Sequence, residues 1–181
     1  METSTLPLEK LRYPIGRYEA PALYRSAFVK QALTALEELP GLLRAAVSPL
    51  SEEQLDTPYR PGGWTLRQVV HHLADSHMNS YAHFRLALTE DRPSIKAYEE
   101  SSWAYLQDAR WADPELSLQM LDALHQRWLI LLRSLTMEEW HRTYLHPQHG
   151  EVYLFQAVGM YAWHGLHHVG HITSTKERME W

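Results

Sequence analysis

The sequence predicts an all-α protein that folds as a four-helix bundle, with short extra helices and a small hairpin. Apolar residues recur at helical spacing over four long segments, at about 22–48, 65–89, 113–132 and 153–178. Helix-start signals precede two of these segments. A chain of 181 residues with 45% hydrophobic and 22% charged residues can bury a core of its own, so we expect one domain over 1–181.

An apolar stripe predicts the first long helix, over about 22–48. Its members are Leu23, Phe28, Ala32, Leu33, Leu36 and Leu39. Pro40 and Gly41 are expected to kink or break this helix, because proline lacks a backbone donor and clashes with the preceding turn. The segment before the helix is rich in proline and is expected to be extended and to lie over the bundle.

The second long helix has a clear start signal. Thr65 is a good N-cap, and Gln68 at the third helical position completes a capping box. Trp64 and Val69 can form a hydrophobic staple across this start. The apolar stripe then predicts a helix that continues to about Thr89.

The third and fourth long helices follow the same logic. Asp113 is an N-cap followed by Pro114 at the first helical position, and an apolar stripe continues to Leu132. The fourth helix is predicted over about 153–178.

The connections between these helices also carry signals. Capping boxes at 51–54 and 136–139 predict short helical turns, and 57–63 is expected to be a loop. The residues 91–112 form a long connection with a short turn near their middle, and such connections are usually functional. Residues 144–153 contain proline and glycine, which suits a turn or small hairpin.

Composition excludes several functions. The net charge is −5 and no basic run exceeds two residues, so nucleic-acid binding is not expected. The absence of cysteine excludes thiolate nucleophiles, iron–sulfur clusters, cysteine zinc sites and disulfides. No secretion signal or membrane-length apolar run is present, so we expect a cytoplasmic protein that does not enter membranes.

Histidines carry the strongest functional signal. Seven of the twelve fall in two short windows, 71–77 and 164–171. Residues four apart lie on one helix face, so His164 and His168 can direct both imidazoles at one atom. A third histidine from the other helix would complete a set of three nitrogen ligands. Three protein ligands with an open position are typical of a catalytic metal site.

Spacing alone leaves the ligand set open. His167 and His171 are also four apart, and His168 and His171 are three apart. On the second helix both His72 and His77 are candidates. By helical angle His77 falls within the apolar stripe, whereas His72 shares a polar face that suits a solvent-accessible site. The polar residues on that face are Ser76, Asn79 and His83.

The remaining polar residues give weaker signals. Ser76 and Asn79 are placed to orient water or substrate, whereas Asp75 points elsewhere by helical angle. Arg60 and Arg127 could recognise an anionic cosubstrate, although structural roles are commoner for single arginines. The other histidines are expected to be surface or hydrogen-bonded core residues: His83, His125, His141, His146 and His149.

Three segments resemble a known family. Residues 57–79, which include Arg60-Pro-Gly-Gly-Trp64, and residues 161–173, together with Tyr13-Pro-Ile-Gly16, are similar to the YfiT branch of the DinB-like metalloenzymes. The resemblance implies a four-helix bundle, generally dimeric. It implies one divalent ion per chain, zinc or nickel, held by His72, His164 and His168. Availability and ligand type favour zinc, with nickel next. At the position of His171, the wider superfamily usually has a glutamine, whereas this sequence has a histidine.

The resemblance implies a metal-dependent hydrolase acting on a small molecule. Three neutral imidazoles leave the double charge of the ion intact, which lowers the pKa of a bound water and makes it a nucleophile. The first alternative is a thiol S-transferase of the bacillithiol type, in which the same open position binds a low-molecular-weight thiol. The second alternative is a non-catalytic metal-binding bundle involved in stress responses.

Overall fold

The computed structural model describes residues 7–181, which form nine helices and one hairpin. In chain order these elements are α1 (Leu8–Arg12), α2 (Ser26–Val47), α3 (Glu52–Leu55), α4 (Leu66–Thr89), α5 (Glu100–Ala104), α6 (Gln107–Trp111), α7 (Pro114–Ser134), α8 (Met137–Trp140), β1 (Thr143–His146), β2 (Gly150–Tyr153) and α9 (Leu154–Met179). The long helices α2, α4, α7 and α9 pack together, which confirms the predicted all-α four-helix bundle.

Two apolar clusters form the core, and they divide the bundle along its length. One cluster includes Leu36, Phe84, Trp128 and Val158, and the other includes Leu43, Leu73, Leu121 and Ile172. On α9, His164, His167 and His168 fall between Ala162 of the first cluster and Val169 of the second. On α4 only His77 falls between the two clusters, because the second cluster includes residues on both sides of His71 and His72. Buried histidines therefore lie where the two apolar clusters meet and beside the second cluster.

Helix starts agree with the capping signals in the sequence. The hydroxyl of Thr65 accepts from the Gln68 backbone, and the Gln68 side chain accepts from the Thr65 backbone. Equivalent reciprocal boxes begin α3 and α8. Asp113 caps α7, with Pro114 at its first position. These caps satisfy backbone donors that no helical partner can reach.

Of the kink or break expected at Pro40 and Gly41, the break is wrong. The α2 helix runs without interruption from Ser26 to Val47 and contains Pro40. Proline removes the hydrogen bond that would reach the carbonyl four residues earlier, which is that of Leu36. That carbonyl instead accepts from the His125 ring at 2.7 Å, so the helix continues with no unpaired acceptor at this position.

The connections are more structured than predicted. The long 91–112 connection contains two short helices, α5 and α6, where one turn was expected. The predicted hairpin is present, as β1 and β2 pair antiparallel with Tyr144 opposite Val152. The opening segment does lie against the bundle, but it includes the short helix α1. The prediction for 1–6 lies outside the described residues. Over residues 7–181, no helix has the length and apolar character that a membrane crossing requires.

Candidate metal centre

Three histidines from two helices converge inside the bundle. His72 lies on α4, and His164 and His168 lie one turn apart on α9. Each offers a ring nitrogen, and these nitrogens all lie within 4.8 Å of one another. Within residues 7–181, no other group of three His, Asp or Glu side chains is gathered this closely. The structure therefore brings together the three histidines that the resemblance indicates.

Burial keeps these three imidazoles uncharged. It lowers the pKa of His72 to about 4, and it lowers the pKa values of His164 and His168 well below the usual histidine value. A neutral imidazole has one N–H and one lone pair, and the lone pair can bind a metal. Protonation would destroy that lone pair, so the environment favours the ligand form of all three rings.

The spacing of the ring nitrogens also suits a metal ion. The Nε2 atoms of His72 and His164 face each other at 3.2 Å. Two nitrogens bound to one tetrahedral ion at about 2.0–2.1 Å would be about 3.3–3.4 Å apart. The observed separation of this pair is close to that value, and the third nitrogen, on His168, lies within 4.8 Å of both, so the donor set fits a divalent ion.

The alternative ligands lie beside the cluster. His77 is fully buried and its Nε2 is 3.5 Å from Nδ1 of His164. His171 is buried and its Nδ1 is 3.2 Å from Nδ1 of His168. The ring of His167 stacks on Trp163 at a centroid distance of 4.5 Å.

A cavity of about 630 Å³ adjoins the cluster, and His164 forms part of its wall. Ser76, Asn79 and His83, the predicted polar face of the second helix, also line this cavity. Residues 97–101 and the hairpin close its other sides. The cavity therefore provides space for a small molecule beside the three-histidine cluster.

Tyrosines contribute a part of the site that the sequence did not indicate. Tyr98, Tyr144 and Tyr161 line the cavity, and burial raises the pKa of each phenol. The Tyr98 hydroxyl is 3.5 Å from Nδ1 of His72. A tyrosine among apolar residues of a helix cannot be told from an ordinary core residue by its sequence. The one sequence feature that pointed to a role for Tyr98 is its position in the long 91–112 connection, because connections of this length are usually functional.

The weaker sequence signals have varied outcomes. Asp75 is half-buried outside the cavity wall, and burial, with a smaller contribution from Asp108, raises its pKa to about 6. Arg60 bonds to the Tyr59 hydroxyl and the Pro61 carbonyl. Neither Arg60 nor Arg127 lines the cavity.

The five histidines that were expected to be structural occupy different environments. His125 is a buried, hydrogen-bonded core residue, as expected, and bonds to the Leu36 carbonyl and His77. His141 is exposed, and its ring donates to the Met137 carbonyl. The other three, His83, His146 and His149, line the cavity.

The sequence profile of the DinB superfamily matches residues 35–172, which span α2 through α9 and include all three clustered histidines. The chain belongs to the DinB superfamily. A solved structure titled "YfiT from Bacillus subtilis is a probable metal-dependent hydrolase with an unusual four-helix bundle topology" is 48% identical, with a TM-score of 0.93. The match covers 95% of this chain and 99% of that one, which confirms the resemblance to the YfiT branch.

Curated relatives point in the same direction. One from Bacillus mycoides (strain KBAB4), named "Putative metal-dependent hydrolase", is 49% identical over 174 residues, covering 96% of this chain and all of the relative. A similarly named protein from Bacillus licheniformis is 49% identical over 175 residues, covering 96% of this chain and 99% of that protein.

Proposed function

We propose that the protein is a metal-dependent hydrolase with one divalent ion per chain, held by His72, His164 and His168. The observation that most directly supports this function is the convergence of three ring nitrogens within 4.8 Å beside a cavity of about 630 Å³. Three neutral protein ligands leave a coordination position for water or substrate. Imidazole ligands suit both zinc and nickel, and we take zinc as the first candidate on ligand type and availability.

The bound ion would lower the pKa of a coordinated water towards neutrality and so supply a nucleophile. The chain itself would position the substrate against that point. Asn79 and Ser76 present an amide and a hydroxyl to the cavity, close in sequence to His72. Tyr98 and Tyr161 remain protonated because burial raises the pKa of both, so each can donate a hydrogen bond to a substrate oxygen.

The charge of the cavity favours a neutral or cationic substrate. Carboxyl groups of Glu99, Glu100 and Glu151 border it, and no lysine or arginine is among the described residues of its wall. Glu151 is partly neutralised, because Arg92 lies 3.0 Å from its carboxylate. In the wall of the cavity, an anionic substrate or an anionic thiol would meet no positively charged side chain, so the bound metal ion would be the main positive charge near it.

The decisive experiment compares zinc-loaded and metal-free protein on small ester substrates that are neutral, cationic or anionic, each with and without a low-molecular-weight thiol. We expect hydrolysis that requires the ion, needs no thiol, and is slowest for the anionic ester. Turnover that requires the thiol would support the transferase instead. Activity that persists in chelator would contradict both.

A matched pair of variants connects this activity to the cluster. His168→Ala removes one ring from the cluster and should abolish both zinc retention and hydrolysis. His141→Ala removes the same side chain from an exposed position and should retain both. Zinc content by elemental analysis and initial rates are the two measurements.

A further inference from the structure

Proline in α2 creates an acceptor that a buried histidine uses. Because Pro40 has no N–H, the Leu36 carbonyl lacks its helical donor. Nδ1 of His125, on α7, lies 2.7 Å from this carbonyl oxygen. A carbonyl can only accept, so the proton of the His125 ring must be on Nδ1. Burial lowers the pKa of His125, so its ring is neutral and its Nε2 has a free lone pair.

The direction of this first bond determines the direction of the next two. Nδ1 of His77 lies 2.9 Å from Nε2 of His125, so His77 must donate from Nδ1 and present a lone pair at Nε2. Nδ1 of His164 lies 3.5 Å from that Nε2, at the long end of the hydrogen-bond range. His164 therefore donates from Nδ1, and its own lone pair is on Nε2, the atom that faces His72.

A second, shorter chain of hydrogen bonds ends at His168. Nε2 of His171 lies 3.1 Å from the Arg12 carbonyl, so His171 donates from Nε2 and has its lone pair on Nδ1. Nδ1 of His168 lies 3.2 Å from that atom and must be the donor. His168 is then left with its lone pair on Nε2. Two separate chains thus begin at a backbone carbonyl and end on a clustered histidine.

We propose that His77, His125 and His171 are positioning residues, which hold His164 and His168 in the tautomer whose Nε2 can bind metal. This inference rests on the proposed metal site. The physical reason is that a neutral imidazole can carry its proton on either nitrogen, and a proton on Nε2 blocks ligation. Outer partners of this type orient the ring and fix its tautomer. Here imidazoles and backbone carbonyls do what a carboxylate does in many zinc sites.

Nuclear magnetic resonance tests the proton positions directly. Protein labelled with 15N-histidine distinguishes the two tautomers in long-range 1H–15N correlation spectra, in both metal-free and zinc-loaded samples. We expect the Nδ1–H form for His77, His125, His164 and His168, and the Nε2–H form for His171. An Nε2–H form at His77 or His164, or an Nδ1–H form at His171, would overturn the corresponding chain.

Variants at His77 test whether the longer chain matters for the ion. His77→Leu leaves the Nδ1 proton of His164 without an acceptor, and zinc affinity should fall by about 10–100-fold. His77→Gln places an amide oxygen near the former Nε2 and should recover most of that loss, because this oxygen can accept from His164.

The control for these variants is His71→Leu. His71 is also a buried histidine of α4 that bonds to α7, through Ser117, and to the Ala112 carbonyl, but it makes no bond to the clustered rings. The His71→Leu variant should be less stable than the wild type but should bind zinc with unchanged affinity. Equal affinities for His77→Leu and His71→Leu would reject a positioning role for His77.

The two proposals fail in different ways. Wild-type protein that does not bind zinc would contradict the proposed function, whatever the tautomers. Wild-type protein that binds zinc while His77→Gln is no better than His77→Leu would contradict the positioning role alone. Titration of zinc against a competing chelator provides these affinities without any assay of activity.

Discussion

The clustered histidines can bind metal only while they are uncharged. Because they are buried, the folded protein should lose stability when the pH falls. The unfolded chain exposes these rings, which then take up protons near the usual histidine pKa of about 6.5. The folded chain resists protonation, because burial lowers the pKa of His72 and of His167 to about 4 and that of His171 to about 3. The unfolded state therefore binds more protons throughout this interval.

We therefore expect the metal-free protein to lose stability as the pH falls from about 6.5 towards 3. Well above pH 6.5 both states are almost fully unprotonated at these sites, and these groups should no longer make stability depend on pH. Within the interval each such histidine contributes a slope of up to about 1.4 kcal/mol per pH unit. Urea unfolding at pH 7.5, 6 and 5 measures the trend.

A variant provides the control for this pH dependence. Replacing buried His171 with Phe removes one protonation site and should flatten the slope relative to the wild type. Equal stability of the wild type at pH 7.5 and pH 5 would contradict the argument.

Helix α9 presents histidines to the cluster and also approaches α2 closely. At Gly165, which follows the clustered His164, an added Cβ would lie 2.2 Å from Cδ2 of Leu39. Leu39 is almost completely buried, so its side chain cannot move into solvent. The close approach of the two helices therefore requires the absence of a side chain at this position.

Gly165→Ala should destabilise the protein by about 1–3 kcal/mol, because overpacking outweighs the better helix propensity of alanine. Gly41→Ala is the matched control in α2, where an added Cβ would meet nothing within 4 Å. That change should stabilise the protein by about 0.5–1 kcal/mol. Urea midpoints of the two variants should thus shift in opposite directions, and a shift in the same direction would contradict the packing argument.

Local signals explain which elements could be predicted from the sequence. The caps at Thr65 and Asp113 act on backbone groups within three residues, so the residues that form each cap are visible in a short stretch of sequence. The continuity of α2 could not be predicted in this way. The carbonyl that Pro40 leaves without a helical donor is satisfied by His125, which is 89 residues from Leu36 in the chain.

The candidate site shows the same division. The separation of four between His164 and His168 places them on one helix face without any knowledge of the fold. Choosing His72 over His77 required an argument about helix faces and a family resemblance. The supporting hydrogen bonds of His77, His125 and Tyr98 arise from packing between elements, which residue spacing does not encode.

The whole molecule has an exposed apolar stripe that a second copy could cover. Leu116, Met120 and Ile130 project from one side of α7 and are 62%, 37% and 73% exposed. Large apolar residues that share one exposed face are typical of interfaces, and two-fold dimers are the commonest assemblies of identical chains.

We expect the protein to form a two-fold dimer through this α7 stripe. Light scattering should give twice the chain mass of 21.2 kDa at micromolar concentration. Ile130→Lys should shift the population to monomers, because burial of a charged group in the interface is costly. Leu23→Lys, at a position that is 72% exposed and precedes α2, should leave the dimer intact. A monomeric wild-type protein would contradict dimerisation. If Ile130→Lys is still a dimer, the dimer interface lies elsewhere on the protein.

The clustered nitrogens come from distant parts of the chain, and this separation affects the order of events in folding. His72 and His164 are 92 residues apart, so the complete cluster exists only after α4 and α9 have docked. An ion that binds after docking should slow unfolding and leave the folding rate unchanged. At free zinc 100 times its dissociation constant, unfolding should be about 100-fold slower. Stopped-flow kinetics with and without zinc measure both rates, and faster folding with zinc would show that the helices meet earlier. If zinc changes only the unfolding rate, the supply of metal governs how long the native state lasts and has no influence on how quickly it is reached.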